Sequence, residues 1–132
     1  MAKVQIGYCA IPSRLRLVAE RASTWVIELG QAPFNPFRAF PSDQFEDGPI
    51  GREETMRICV RAVEFCDTFH LFGISEGTVM YELKRALELK KPIHIHVKDF
   101  DFPWDFYLKK LKESHLSGNE EVFAYLEKQL GC

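Results

Sequence analysis

The sequence predicts a three-layer α/β/α domain built on a mostly parallel sheet of four to five strands. Short apolar runs typical of buried strands alternate with segments in which apolar residues recur every three or four positions, as in amphipathic helices. Such alternation indicates βαβ units, whose right-handed crossovers place helices on both faces of the sheet. The chain has 132 residues, 46% of them hydrophobic, which suits one domain with a single core. We therefore expect residues 1–132 to form one α/β domain of the flavodoxin-like or Rossmann-like kind.

The first third of the chain is predicted to hold two strands around one helix. Residues 4–9 are an apolar run typical of a buried strand, and residues 32–35 are a shorter second one. Between them lies a helix that Ser13 is suited to cap and Gly30 is suited to end. Its apolar positions are Leu15, Val18, Ala22, Trp25, Val26 and Leu29.

Residues 35–51 are predicted to form a long loop. The segment contains Pro36, Pro41 and Pro49 and carries phenylalanines without a clear period. Loops of this length are uncommon in compact domains and are often functional.

The rest of the chain is predicted to hold two more strands, at residues 68–72 and 92–97. A helix over residues 52–65 precedes them, with Glu53 and Glu54 in its first turn, where carboxylates are favoured by the helix dipole. Another helix opens after residues 74–77, and two helical patterns cover residues 104–116 and 118–130. The inward positions of the helix over residues 52–65 are Met56, Cys59, Val60 and Val63. Those of the helix that opens after residues 74–77 are Val79, Met80, Leu83, Ala86 and Leu87.

Composition and charge exclude several classes of protein. The 17 basic and 19 acidic residues give a net charge of −2, so no basic surplus is present to bind a nucleic-acid polymer. The longest apolar runs span a few residues, far fewer than the roughly 20 needed to cross a membrane. The first residues lead into a strand without the apolar stretch of a signal peptide. We therefore expect a cytoplasmic protein that does not bind membranes.

Cysteines and histidines are expected to have structural roles. The four cysteines, which include no C-x-x-C pair, are Cys9, Cys59, Cys66 and Cys132; buried free thiols are the expectation. His94 and His96 alternate with aliphatic residues in a predicted strand, which puts both rings on one face. Two such histidines are able to bind a metal, but no third and fourth ligand is visible at suitable spacing. We predict no metal site and no cofactor, and place these histidines on the wetter face of a sheet edge or near a cleft.

The loops that follow the predicted strands are the expected location of a ligand. In open parallel sheets ligands bind at the carboxyl ends of the strands. Here those loops cover residues 10–14, 36–51, 73–78 and 98–104. In the third of them the turn Ser75-Glu76-Gly77-Thr78 leads from a strand into a helix, whose free N–H groups suit an anion or a hydroxyl. A purely structural cap by Ser75 or Thr78 explains the same turn.

Several motifs of this chain follow one another in a known order. Residues 8–13 join a predicted strand to a polar loop, and residues 30–36 follow a predicted helix as a Gly-x-x-Pro segment. Residues 66–67 are a Cys-Asp pair that precedes a predicted strand. The turn Ser75-Glu76-Gly77-Thr78 is followed by Glu82-Leu83-x-x-Ala86. In these motifs the chain resembles the nucleoside 2-deoxyribosyltransferase-like family, including the 2′-deoxynucleoside 5′-phosphate N-hydrolases. The resemblance covers residues 4–97 and leaves residues 98–132 as a helical C-terminal extension.

The resemblance implies nucleoside or nucleotide binding, with N-glycosidic bond cleavage or deoxyribosyl transfer. Glu82 would be the carboxylate nucleophile that attacks the anomeric carbon of the sugar. Tyr8 would hold that carboxylate or the sugar, and Glu76 or Asp43 would protonate the leaving base. Family members usually carry an aspartate eight residues before the position of Asp67, where this chain has Cys59.

The resemblance also implies a set of substrate contacts. Ser75, Gly77 and Thr78 would contact a 5′-hydroxyl or phosphate. Apart from the resemblance, Ser13 and Arg14 at the predicted start of the first helix are placed to contact a phosphate. Phe34 is among the loop phenylalanines placed to stack on a base, and Asn35 beside it is a further substrate-binding candidate. The separation of Ser75 from Glu82 is one residue longer than the usual Ser-to-Glu spacing, whereas Glu76 and Glu82 keep the six-residue separation of acid and nucleophile seen in the transferases.

Other interpretations stay open. The alternative interpretation of Glu82 is a surface glutamate that pairs with Arg85, and that of Tyr8 is a core residue with a satisfied hydroxyl. A non-catalytic nucleotide-binding module of the same fold, and an assembly or interaction domain, are the alternative functions. Loop phenylalanines and the aromatic residues 100–107 would expose a large aromatic surface, so we also expect a homodimer or a higher homo-oligomer.

Overall fold

The computed structural model describes residues 3–41, 43–74, 78–96, 101–114 and 119–130. These residues form four strands, β1 (Ile6–Ala10), β2 (Ala32–Phe34), β3 (Thr68–Leu71) and β4 (Ile93–Ile95). A 3₁₀ helix (Ser13–Val18) precedes six α-helices, which are α1 (Ala19–Glu28), α2 (Pro36–Ala39), α3 (Arg52–Phe65), α4 (Thr78–Glu88), α5 (Trp104–Ser114) and α6 (Glu120–Leu130).

The four strands form one parallel sheet in the order β2-β1-β3-β4. This order is that of the first strands of flavodoxin-like folds. The register aligns Tyr8 with Phe34 on one side and with Phe69 on the other, and it aligns His70 with His94. Side chains of residues that are aligned across the strands point to the same face of the sheet. Each such set of aligned side chains therefore packs into the core on that face.

Each face of the sheet is covered by helices, which gives the predicted three layers. On one face Cys9 and Phe72 pack against Ala22 and Val26 of α1. On the other, apolar residues of β1 and β3 pack into a larger core with side chains of α3, α4, α5 and α6. Because α5 and α6 supply Leu111 and Leu126 to that core, residues beyond the sheet help to close the same hydrophobic layer.

Two predicted features differ in the structure, namely the start of the first helix and the long loop. The helix expected from Ser13 starts as a 3₁₀ helix, and α1 begins at Ala19 without a side-chain cap. Gly30 ends α1 as predicted, with a φ of 81° that favours glycine. The long loop contains the short helix α2, whose first turn Asn35 caps and in which Pro36 supplies the fixed φ of a first helical residue. The described residues hold four strands, the lower end of the predicted number.

Within the aromatic stretch 100–107, Phe100 lies outside the described residues and the other rings are mostly interior. Phe102 and Trp104 are buried in the larger core, Tyr107 is half-buried, and Phe106 is exposed. Phe37, Phe40 and Phe45 of the long loop are also half-buried. The aromatic surface expected at these positions is therefore small, because the rings cover one another and the sheet. Among the described helices none is long and apolar enough to span a membrane.

Candidate functional site

The centre of the candidate site is a buried hydrogen bond between Tyr8 and Glu82. The Tyr8 hydroxyl donates to Oε1 of Glu82, and the two residues are 0% and 3% exposed. Tyr8 lies in β1 and points into the larger core, while Glu82 lies on the face of α4 that also buries Val79 and Leu83. The structure thus brings together the two residues that the resemblance assigns to one site.

This geometry excludes the surface interpretation of Glu82. Arg85, its expected partner, instead pairs with Glu64 at 2.9 Å and with Glu88 at 3.5 Å. A helix face of period 3.6 places residue 82 with the apolar positions 79 and 86, so the carboxyl enters the core with them. Helical periodicity in the sequence carries this signal.

Cys59 of α3 is the third member of the site. This residue is 4% exposed, and its thiol interacts electrostatically with Tyr8 and with Glu82. Burial raises the pKa of this thiol to about 12, and the nearby Glu82 adds to the effect. The thiol is therefore neutral at physiological pH and adds no negative charge where an aspartate would.

Burial also sets the protonation of the pair. It raises the pKa of Glu82 from 4.5 to about 8, and the hydrogen bond from Tyr8 only partly opposes this shift. The pKa of Tyr8 is raised well above 10.0 by burial and by the neighbouring Glu82. A carboxyl group in such an environment is mostly protonated at pH 7 and becomes a nucleophilic carboxylate only as the pH rises or as its surroundings change.

A continuous aromatic row leads from Tyr8 to the long loop. The ring of Phe34 stacks on that of Tyr8, with 5.9 Å between the ring centroids. Phe40 packs on Phe34 with a centroid distance of 6.0 Å, and Phe45 packs on Phe40 with one of 5.2 Å. The row thus runs from Tyr8 through Phe34 and Phe40 to Phe45. The next residue, Glu46, is half-buried and acts electrostatically on Cys59.

Asn35 has a structural role in this arrangement. Its amide nitrogen donates to the carbonyl of Ala19 at 2.7 Å and to the hydroxyl of Ser23 at 3.0 Å, and its oxygen accepts from the backbone N–H of Phe37 at 3.0 Å. Both amide hydrogens are thereby used within the protein. Asn35 therefore ties α2 to α1, and only its amide oxygen, through a second lone pair, is able to accept a further hydrogen bond.

An open groove of about 560 Å³ is lined by residues of β2, α1 and α2. Arg38 of α2 and Glu20 of α1 form an ion pair there at 2.5 Å. The groove is lined by Glu20, Ser23, Thr24, Ile27, Pro33, Phe34, Asn35, Arg38 and Ala39. It shares Phe34 with the aromatic row but does not include Tyr8 or Glu82, so it is a separate surface feature.

The remaining predicted site residues fall in three groups. Ser75, Glu76 and Gly77 lie outside the described residues. Ser13 and Arg14 open the 3₁₀ helix that follows β1, and Thr78 is the first residue of α4. Asp43 is exposed in the long loop.

The opposite face of the sheet carries a buried polar network that the sequence interpretation missed. His70 Nε2 lies 2.7 Å from Oε1 of Gln31, which also accepts from the Thr68 hydroxyl at 2.7 Å. Since an amide oxygen only accepts, Nε2 of His70 carries the proton and Nδ1 accepts from Nε2 of His96 at 2.9 Å. Gly7 makes room for this network, since a Cβ there would lie 2.7 Å from the His70 ring and from Gln31 Oε1.

His94 and His96 lie on one face, as predicted, and His70 joins them there. The ring of His94 stacks on His70 at 4.8 Å, and the ring of His96 stacks on Phe72 at 4.2 Å. Burial and the two neighbouring imidazoles lower the pKa of His70 to about 3. In the part of the chain that the structure describes, no group of three or more histidine, cysteine, aspartate or glutamate residues is arranged to hold a metal ion.

The thiols are also placed as expected. Cys9, Cys59 and Cys66 are free and buried, whereas Cys132 lies outside the described residues. Burial raises the pKa of Cys9 and of Cys66 to about 12, so these thiols behave as small apolar side chains.

Comparison with known proteins adds no family assignment. No family model matches the chain, and no curated protein and no solved structure matches it significantly. The fold and the geometry of the site are therefore the basis for a proposed function.

Proposed function

We propose that this protein binds a nucleoside or nucleotide and cleaves its N-glycosidic bond, or transfers its deoxyribosyl group, with Glu82 as the nucleophile. The observation that carries the proposal is the buried hydrogen bond between Tyr8 and Glu82. A phenol that donates to a carboxyl group fixes its orientation, which a positioned nucleophile requires. The motif resemblance supplies the substrate class.

The chemistry suits this pair. Cleavage of an N-glycosidic bond develops positive charge at the anomeric carbon, which a carboxylate stabilises or attacks to form a glycosyl-enzyme. Glu82 would supply that carboxylate and Tyr8 would hold it in place. The aromatic row that begins with Phe34 would contact the base.

A non-catalytic binding module is the second candidate. Two observations favour it: burial raises the pKa of Glu82 to about 8, and a neutral thiol, Cys59, stands beside the pair where an aspartate is usual. Both weaken nucleophilic catalysis at neutral pH while leaving a site able to hold a ligand.

Ligand screening and product analysis separate these functions. Ribo- and deoxyribonucleosides, with and without a 5′-phosphate, are tested for their effect on the melting temperature and then for released base by chromatography. A ligand that binds the native state raises the melting temperature. The proposed function predicts both a shift and base release, and a binding module predicts the shift alone. No shift with any compound would remove the nucleotide proposal and leave an assembly domain.

A pair of variants assigns the chemistry. Glu82→Gln keeps the shape of the side chain but loses the nucleophile, so base release should fall below detection while binding persists. Glu88→Gln changes an exposed glutamate of the same helix and should leave release unchanged.

We also propose a cytoplasmic location and a homodimer or higher homo-oligomer. The free thiols Cys9, Cys59 and Cys66 are typical of a reducing compartment. Exposed apolar side chains at Phe65 and Phe106 are available for self-association. Light scattering should give at least twice the chain mass of 15.3 kDa, and a mass of one chain across a wide concentration range would contradict self-association.

A further inference from the structure

The groove between α1, β2 and α2 combines an apolar lining with an ion pair. The apolar residues that line it are Ile27, Pro33, Phe34 and Ala39. The ion pair joins Glu20 of α1 to Arg38 of α2. The volume of about 560 Å³ lies in the range of small-molecule sites. Since neither Tyr8 nor Glu82 lines the groove, a ligand bound here is independent of the proposed function.

The charges of this ion pair are accessible to a ligand. The side chains of Arg38 and Glu20 are 60% and 77% exposed. In the part of the chain that the structure describes, neither side chain has a second ion pair or hydrogen bond. An ion pair this exposed contributes little to stability, so both groups are able to bind further charges without loss to the fold.

The backbone of β2 adds a hydrogen-bond acceptor to the groove. In the described sheet β2 is an edge strand that pairs with β1. The N–H of Ala32 donates to the carbonyl of Gln5 at 2.9 Å, so residues 32 and 34 direct their polar groups to β1. Pro33 between them directs its carbonyl away from β1 and has no N–H. Because Pro33 lines the groove, this carbonyl is placed to accept from a ligand.

We propose that the groove binds a free α-amino acid with an apolar side chain. The complement of an ion pair is a second ion pair in the reverse order, and an α-amino acid holds its ammonium and carboxylate groups on one carbon. The ligand carboxylate accepts from the Arg38 guanidinium. The ligand ammonium group donates to the Glu20 carboxylate and to the Pro33 carbonyl, and the ligand side chain lies against Ile27 and Phe34.

The charge of the groove disfavours ligands with a single charge. An amine that approaches Glu20 meets the like charge of Arg38, and a carboxylate that approaches Arg38 meets that of Glu20. A zwitterion places an opposite charge against each member of the pair. The apolar lining then selects among zwitterions, because a larger apolar side chain covers more of it.

Three compounds that share one aromatic ring test the role of the charges. They are L-phenylalanine, 3-phenylpropionate, which lacks the ammonium group, and 2-phenylethylamine, which lacks the carboxylate. Each is titrated into the nitrogen-15-labelled protein, and the shifts of the backbone amide signals give the affinity and the location. L-Phenylalanine should bind at least about tenfold more tightly than either analogue, since each analogue lacks a charge-assisted hydrogen bond. Glycine, which has both charges and no side chain, should bind more weakly than L-phenylalanine.

Two variants assign the charges to residues. Glu20→Gln should remove most of the preference for L-phenylalanine over 3-phenylpropionate, and Arg38→Gln most of the preference over 2-phenylethylamine. Both should keep the melting temperature of the unchanged protein, because the ion pair is exposed. Glu28→Gln changes an exposed glutamate of α1 outside the groove and should keep both preferences.

The titrations also define the results that contradict this site. Equal affinities of the three aromatic compounds for the unchanged protein would overturn the zwitterion as the ligand. The largest amide shifts at residues outside the groove, or no saturable binding of L-phenylalanine, would overturn the site itself. None of these results bears on base release from nucleosides, so the proposed function is tested separately.

Discussion

The hydroxyl of Tyr8 in β1 donates a hydrogen bond to the carboxyl group of Glu82 in α4, although 74 positions separate the two residues in the chain. The contact joins the sheet to a helix within the larger core. Since a buried carboxyl group needs a partner, this bond has both a structural and a chemical consequence, and each is open to measurement.

Removal of the Tyr8 hydroxyl should destabilise the protein. Tyr8→Phe leaves the buried Glu82 carboxyl without its donor, and an unsatisfied buried polar group costs about 1–3 kcal/mol. Urea unfolding at pH 7 measures the loss. Tyr81→Phe removes a hydroxyl at a position that is 51% exposed and should change the unfolding free energy little. Equal stability of the two variants would contradict the contact.

Glu82 should make the protein less stable as the pH rises. Its pKa is about 8 in the folded protein and 4.5 as an ordinary carboxyl group, so between these values the folded state holds a proton that the unfolded state has lost. The stabilisation from this group is complete below pH 4.5 and is lost as the pH rises to about 8.

Glu82→Gln isolates this effect. The variant has no proton to lose at this position. The difference between its free energy of unfolding and that of the unchanged protein should therefore increase, in favour of the variant, at each step from pH 5 to pH 8. Glu88→Gln should keep the dependence of the unchanged protein. Parallel curves for the unchanged protein and Glu82→Gln would show that the carboxyl group titrates normally.

His70 should have the opposite effect at acid pH. Its pKa is lowered from 6.5 to about 3, so between these pH values the unfolded state binds a proton at this imidazole that the folded state does not bind. The stabilisation is present above pH 6.5 and is lost as the pH falls toward 3. His70→Gln should remove this slope, measured by thermal unfolding from pH 7 to pH 4. His94→Gln removes only one of the smaller causes of the shift, after burial and His96, and should keep most of the slope. Retention of the full slope in His70→Gln would contradict the assignment.

Gly7 should tolerate no side chain. An added Cβ would lie 2.7 Å from atoms of the His70 ring and from Oε1 of Gln31, closer than carbon approaches such atoms. Gly7→Ala should therefore cost about 1–3 kcal/mol, as overpacked cores do, in chemical unfolding at pH 7. An unchanged midpoint would mean that the network is looser than the structure indicates.

Much of the fold was predictable from local patterns. Helix α3 begins and ends at the predicted residues, because the acidic first turn and the spacing of Cys59 and Val63 mark one amphipathic helix. The ends of strands were predicted less accurately. The strand predicted at residues 92–97 is only three residues long as β4, because its flanking residues continue the same alternation in the sequence. Helix α2 was missed although Asn35 and Pro36 are a recognisable start signal, because four residues give no periodicity.

The site was only partly predictable for a different reason. The match of Tyr8 with Glu82 follows from the motif order, but the position of Glu46 depends on how a loop of irregular sequence folds back. His70 sits in an apolar run, and its bond to His96 needs the register of β3 with β4. Long-range register is not encoded in the spacing of single residues, so these contacts appear only in three dimensions.

The most direct test of the central claim is a covalent trap. A 2′-fluoro-substituted deoxynucleoside slows the breakdown of a glycosyl-enzyme, so the protein is incubated with it near pH 8, digested and analysed by mass spectrometry. The account predicts a fluorinated sugar attached to the peptide that contains Glu82, and no adduct in Glu82→Gln. Release of base with an adduct on another residue, or with no adduct at all, would contradict the assignment of Glu82 as the nucleophile.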